Sequence, residues 1–258
     1  MALSGIPFSK IKKIDYIICD TKKSGKEIFE EYKPDYLINA TLFDVTTGNV
    51  ITYSKDGDNL EGYLFSKNGI GIKNNLPIWT NYDVIKNDNS IVDFMGGSPT
   101  LVVNGQKVID AGTTESWILN SSSYRSYIGF NDTHLYLGCT EQTQTIDSLA
   151  TTCLNNGFKY AINLDGGGSC TLIQKDANGK AKILIDRESR KCPSWILVYL
   201  KEQTTTTESV TTTEIVYNNT EFLNGVIING SSYLKIRELE KLGFTINFSN
   251  GTVYINKK

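Results

Sequence analysis

Asn163-Leu164-Asp165-Gly166-Gly167-Gly168-Ser169 is the stretch on which the reading of this chain turns. It leaves an apolar run, Tyr160-Ala161-Ile162, and enters another, Thr171-Leu172-Ile173, so it joins two strands. Three successive glycines cost backbone entropy. Such a loop persists because a ligand approaches its N–H groups closely and is cradled by them, or because the chain bends tightly between strands. Asp165 stands at the strand's end beside the open turn. A carboxylate there can orient a hydroxyl or activate water, or it can cap the local turn. No Gly-Lys-Ser/Thr follows, so the loop is no P-loop. A strand and not a helix comes next, so it is no dinucleotide fingerprint.

Working outward, Thr145 to Asn156 has a helical face of Ile146, Leu149, Ala150, Cys153 and Leu154, with Thr145 as cap and Gly157 as stop. A second helix is expected over Lys22 to Tyr32. Short strand-like runs fill the rest: Ile14 to Cys19, Tyr36 to Ile38, Val50 to Tyr53, Thr100 to Val103, Tyr127 to Phe130, Leu135 to Leu137, Ala181 to Ile185 and Trp195 to Leu200. The expected class is α+β: a mixed, many-stranded sheet domain with a few helices over residues 1–202, followed by a small β-rich module. Residues 203–213, threonine-rich and without periodicity, read as a linker. Residues 214–258 read as the module, with strands at Glu214 to Tyr217 and Gly225 to Asn229, a helix at Tyr233 to Leu242, and a hairpin around Asn250-Gly251.

Composition limits the partners. Among 258 residues, 26 basic side chains against 28 acidic ones leave a net charge of −2, so no overall field gathers nucleic acid or anionic lipid, and any anion site must be local. No run approaches the ~18 apolar residues of a membrane span. Met1 to Lys10 has no secretory pattern, so synthesis in the cytoplasm without a cleaved signal is expected. Five cysteines lack C-x-x-C spacing and are odd in number, which argues against a disulfide framework or zinc. The sole histidine, His134, lies in a turn-to-strand pattern, and without a second one a Ser-His-Asp triad is improbable. No cofactor or metal is expected. Ca²⁺ is the one ion the Asp and Asn residues near the loop could hold, but EF-hand spacing is missing.

Several segments resemble the phosphodiester glycosidase family in the same order along the chain. The glycine loop looks like its signature. Gly97-Ser98-Pro99-Thr100-Leu101-Val102-Val103-Asn104-Gly105 resembles its Gly-Pro-Leu-Val segment, and Tyr124-Arg125-Ser126-Tyr127-Ile128-Gly129-Phe130 its Arg-Thr-Ala-Ile-Gly segment. Asn39-Ala40-Thr41-Leu42-Phe43-Asp44 is similar to its Asn-Gly-Gly-Phe-Phe-Asp segment, and Arg190 with Pro193 and the strand from Trp195 to its close. The departures are Ala40 and Thr41 in place of glycines, which narrow any approach to that backbone, and Cys139-Thr140-Glu141 where the family often has Asp-Gly-Arg.

The resemblance implies hydrolysis of a sugar-1-phosphodiester. The leaving phosphate needs little acid help, so the site needs cations or N–H groups for phosphate and a carboxylate near the anomeric carbon. Asp165 is the first candidate for that carboxylate and Asp44 the second, with turn capping as the rival role of Asp44. Arg125 and Arg190 are candidates for phosphate. Arg125 could instead serve a structural pair, and Arg190 a solvated charged loop. Gly166, Gly167 and Gly168 can present N–H donors, with Ser169 beside them. Asn39 and Asn163 could bond sugar hydroxyls or satisfy turns. Trp79 and Tyr82 could stack on sugar, but core packing is the safer expectation.

Residues 214–258 resemble the stalk-type modules named after the N-terminal region of copper amine oxidases, through Val226-Ile227-Ile228-Asn229-Gly230, Tyr233-Leu234-Lys235-Ile236-Arg237-Glu238-Leu239 and Leu242-Gly243-Phe244. With no His, Cys or Met in the segment, copper is not expected. Wall-polymer attachment or self-association into a homo-oligomer is. A hydrolase with such a module suggests action at a bacterial cell wall, as a phage lysis enzyme released through a membrane lesion. The rival is a non-catalytic protein that binds a glycan phosphate.

Overall fold

The computed structural model describes residues 2–110, 112 and 116–202, and the backbone of strands within 211–257. The chain divides into two compact units, Met1–Lys201 and Glu202–Lys258.

The first unit is built on two sheets packed face to face. One has six strands in the order Ala2–Pro7, His134–Cys139, Ser126–Phe130, Tyr160–Asn163, Thr100–Val103 and Gln106–Asp110. The other has five, in the order Ala181–Asp186, Thr171–Lys175, Tyr36–Asn39, Cys192–Leu200 and Ile11–Lys23. Side chains alternate between the faces of a strand, and here both faces are covered. On Cys192–Leu200, Ile196 and Val198 join the core between the sheets, whereas Trp195 and Leu197 pack outward with Ile28 and Phe29 of the helix Gly25–Tyr32. The six-stranded sheet does the same. Ile128 and Ile162 face inward, while Tyr127 and Ala161 meet Ile146, Leu149, Ala150 and Cys153 of the helix Ile146–Asn155. The result is a helix, two sheets and a helix in layers, and it explains why these strands read as continuous apolar runs.

A third sheet joins Asn59–Glu61, Ser54–Asp56, Ile91–Gly96, Asn68–Lys73 and Leu76–Asn81. None of its strands was anticipated from sequence, and Val50 to Tyr53 makes only isolated bridges, at Val50 and Thr52. The reason lies in Asn68-Gly69-Ile70-Gly71-Ile72-Lys73. Two glycines weaken a strand by propensity, yet a Cβ on Gly69 would lie 2.1 Å from the Met95 carbonyl oxygen. This sheet also seals an edge. Strand Ile11–Lys23 ends the five-stranded sheet, and its Tyr16 and Ile18 N–H groups donate to the carboxylates of Asp93 (3.0 Å) and Asp56 (2.7 Å).

The first expected helix is shorter than its apolar spacing suggests. The strand runs on through Lys23, and Ser24 then opens the helix with a capping box closed by Glu27. The second begins after Thr145, whose hydroxyl accepts the Ser148 N–H, and stops at Gly157 with φ +76°.

In the second unit, Thr211–Tyr217, Glu221–Ile228 and Ser231–Leu234 form one antiparallel sheet, and Phe244–Ser249 pairs with Thr252–Lys257. The first strand begins inside the stretch read as linker. Tyr233 and Leu234 lie in a strand where a helix was expected, and residues 235–242 of that helix fall outside the described residues. No helix among the described residues is long and apolar enough to cross a membrane.

Candidate active site

The glycine loop is the crossover between the two main sheets. It leaves the six-stranded sheet at Asn163 and enters the five-stranded sheet at Thr171, with one 3₁₀ turn at Gly167–Ser169. Gly167 has φ +60°, which a side chain rarely adopts. A Cβ on Gly168 would fall 2.0 Å from Glu188 Oε2 and 2.6 Å from Arg190 Nη2. The last of these glycines therefore makes room for an ion pair.

A pocket of about 260 Å³ opens over the loop. Its lining includes the apolar Leu42, Ile51, Phe65 and Ile118, together with Asn163, Asp165, Gly166, Gly167, Arg125 and Arg190. Trp117, on the short helix Ser116–Asn120, lies at its lining with 62% of its surface exposed.

Asp165 is held by its main chain, its N–H donating to Ala40 O (2.8 Å) and its carbonyl accepting from Asn39. Its Oδ1 accepts the Gly166 N–H at 3.0 Å. Burial lifts its carboxyl to about 6, against the lowering effects of the Ser169 hydroxyl, Arg190 and that N–H. Arg190 donates to Ser169 Oγ (3.4 Å) and pairs with Glu188 (2.8 Å). Carboxylate and guanidinium, both at the pocket, are thus linked through the buried Ser169 hydroxyl.

Asn163 is nearly inaccessible. Its Nδ2 donates to the carbonyls of Ser98 and Leu164, which leaves Oδ1 buried without a partner in a residue that lines the pocket. An unpaired buried acceptor is costly, and a donor brought by a ligand relieves that cost.

Other expected site residues are spent inside the protein. Arg125 is buried, and its guanidinium donates to the main-chain carbonyls of Gln144, Ile118 and Ser121 at 2.6–3.1 Å. Burial pulls its pKa down. It ties the Trp117 helix to the domain and does not stand as a free phosphate ligand. Asn39 uses its amide on Asp165 O, Ser126 Oγ and Thr171 N, so it is a staple and not a sugar contact. Asp44 accepts the N–H groups of Thr46 and Thr47, which hold its carboxyl below the usual range, and it does not line the pocket. The Gly166 and Gly167 N–H groups go to Asp165 Oδ1 and Tyr124 O.

The departures at Ala40 and Thr41 do not narrow the pocket. Both are buried, Thr41 bonds Tyr16 and Ser194, and neither lines the cavity. Cys139 is buried against Ser126. Trp79 stacks on Tyr160 and Tyr82 packs on Tyr53, as core packing requires. His134 bonds Thr133 at a surface turn. No three His, Cys, Asp or Glu side chains converge as a metal set among the described residues. Trp117 went unnoticed in the sequence, and Glu188 was read only as part of the charged stretch around Arg190. The signal for Trp117 was a large aromatic in Glu115-Ser116-Trp117-Ile118-Leu119-Asn120, a segment with no strand alternation.

Among solved structures, the zebrafish N-acetylglucosamine-1-phosphodiester α-N-acetylglucosaminidase catalytic domain, auto-inhibited by its pro-peptide, matches with TM-score 0.60 and 16% identity over 78% of this chain and 84% of that one. A hypothetical protein from Synechocystis matches with TM-score 0.56 and 12% identity over 77% of this chain and 59% of its own. At such identities these similarities concern the fold. No curated protein sequence matches. The phosphodiester glycosidase family model matches residues 32–199, which takes in the glycine loop, Arg190 and the strands of the two main sheets other than Ala2–Pro7 and Ile11–Lys23, and the chain belongs to that family.

Proposed function

We propose that this protein hydrolyses a glycosyl phosphodiester, with Asp165 as the catalytic carboxylate. The observation that carries the reading is that Asp165 and Arg190, linked through the buried Ser169 hydroxyl, both line a pocket that also has an apolar lining. Arg190 holds the phosphate. Asn163 Oδ1 accepts a sugar hydroxyl, and the exposed Trp117 ring offers a platform for the sugar face. Asp165, ionised above about pH 6, takes a proton from water. The water oxygen bonds to the anomeric carbon, the bond from that carbon to the phosphate oxygen breaks, and the phosphate monoester leaves with the electron pair.

The substrate we infer is a sugar–phosphate linkage of a bacterial wall or surface glycopolymer. Residues 214–258 act as a wall-attaching or self-associating module, and the protein acts at the wall as a phage lysis enzyme. The resemblance of that module to stalk-type modules supports this. A binding protein without catalysis is the second reading. It is favoured by the internal use of Arg125 and of the Gly166 and Gly167 N–H groups, which leaves phosphate binding in the pocket to Arg190, itself paired with Glu188.

The test is release of reducing sugar from bacterial wall material and from a panel of sugar-1-phosphodiesters. Release by the wild type that falls about a hundredfold in Asp165→Ala supports hydrolysis. Binding without release from any substrate supports the second reading.

A further inference from the structure

Arg190 lines a second hollow beside the Asp165 pocket. This space, about 390 Å³, is walled by Lys22, Phe43, Val45, Arg190 and Lys191. Phe43, Val45 and Arg190 border both spaces, so the two are arms of one cleft that turns at Arg190. Three of the five residues lining the second arm are cations and none is an acid.

Their counter-charges are weakly held. Arg190 pairs with Glu188 and Lys191 with Glu27 across exposed contacts of 2.8 and 2.9 Å. Exposed pairs of this kind are weak because water screens them, so an arriving phosphate can replace a carboxylate at small cost. Lys22 donates to Val45 O at 3.0 Å and stands 5.8 Å from the Phe43 ring centroid. Asp44 is near enough for Lys22 to lower its pKa, but its Oδ1 is occupied by the Thr46 and Thr47 N–H groups.

We propose that this basic arm is the leaving-group subsite, and that it takes an aglycone bearing further phosphates, a chain of repeating phosphodiesters, in preference to a neutral alcohol. The inference rests on the reading of the Asp165 pocket as a glycosyl phosphodiester site. Arg190, at the bend, holds the scissile phosphate. The sugar lies on the Asp165 side, and Lys22 and Lys191 meet the next phosphates along the chain.

The test is a calorimetric titration of the full chain with a six-unit poly(glycerol phosphate) and with glycerol phosphate. Wild type is expected to bind the oligomer at least about tenfold more tightly than the monomer, as linked contacts do. The double variant Lys22→Ala/Lys191→Ala is expected to bring the two within about twofold. Lys12→Ala, about 30 Å away along the same strand by strand rise, is expected to keep the preference. An equal affinity for both probes in wild type, or a preference that survives the double variant, overturns the proposal. Failure of hydrolysis with the preference intact removes the catalytic reading alone. Hydrolysis without the preference removes only the basic subsite.

Discussion

Asn39 and Asp165, 126 residues apart, are joined by one hydrogen bond in which Asn39 Nδ2 donates to the Asp165 main-chain carbonyl at 2.7 Å. The same amide accepts from Ser126 Oγ in the six-stranded sheet and Thr171 N in the five-stranded sheet, at 2.7 and 3.0 Å. One buried side chain thereby locks the glycine loop at the point where it crosses between sheets. Asn39→Ala takes a partner from three polar groups, of which Ser126 Oγ keeps only Cys139 Sγ, and is expected to lower stability by about 3 kcal/mol. Urea denaturation checks this, and a loss below about 1 kcal/mol would show that the staple is dispensable.

Asp165 and Arg190 are electrostatically linked, with the cation lowering a carboxyl that burial has raised to about 6. As a base, Asp165 works when ionised, so kcat/KM should rise with pH through about 6. Arg190→Gln removes a cation and must move that limb to higher pH. A pH–rate profile with an unmoved limb would separate the two residues.

Arg125 is predicted to matter for stability and not for phosphate. Arg125→Lys cannot reproduce the fork that reaches the carbonyls of Gln144, Ile118 and Ser121. It should cost about 2 kcal/mol in denaturation while KM stays within about threefold. A large rise in KM at unchanged stability would return Arg125 to the phosphate site.

Gly168→Ala tests the space that glycine leaves. The new methyl meets the flexible ends of Glu188 and Arg190, at 2.0 and 2.6 Å, so those ends must move. The fold should tolerate this and activity should not, with kcat/KM falling about tenfold at a nearly unchanged melting temperature. Full activity would mean that Arg190 need not hold its place.

Asp93 sets a pH dependence of stability. Burial raises its carboxyl to about 6 against the Tyr16 and Gly57 N–H groups, from an ordinary value of 3.8. The folded state therefore holds a proton that the unfolded state has lost between about pH 4 and 6. By linkage, stability falls as pH rises through that window. The cost at neutral pH is of the order of 2 to 3 kcal/mol. Asp93→Asn should flatten the dependence in an Asp165→Asn background, as read by denaturation at pH 4.5 and 7.

The sequence by itself determined the α+β class, most strands of the two main sheets, the helix capped by Thr145, and the glycine loop with Asp165 at its entrance. Those features are local. Alternation, caps and successive glycines act within a few residues and can be read there. What only the tertiary structure decided was how each polar side chain is used. Arg125 and Arg190 read alike along the chain, but one is buried among carbonyls and the other turns a corner of the cleft. Asn39 and Asn163 both end apolar strands, yet Asn39 has partners for its amide at both ends while Asn163 keeps an unpaired oxygen at the pocket. The third sheet was hidden because its glycines, poor strand formers by propensity, are placed by close backbone contact with strands far along the chain. Hydrogen-bond partners and steric room depend on which segments the fold brings together, and that information lies between segments and not within them.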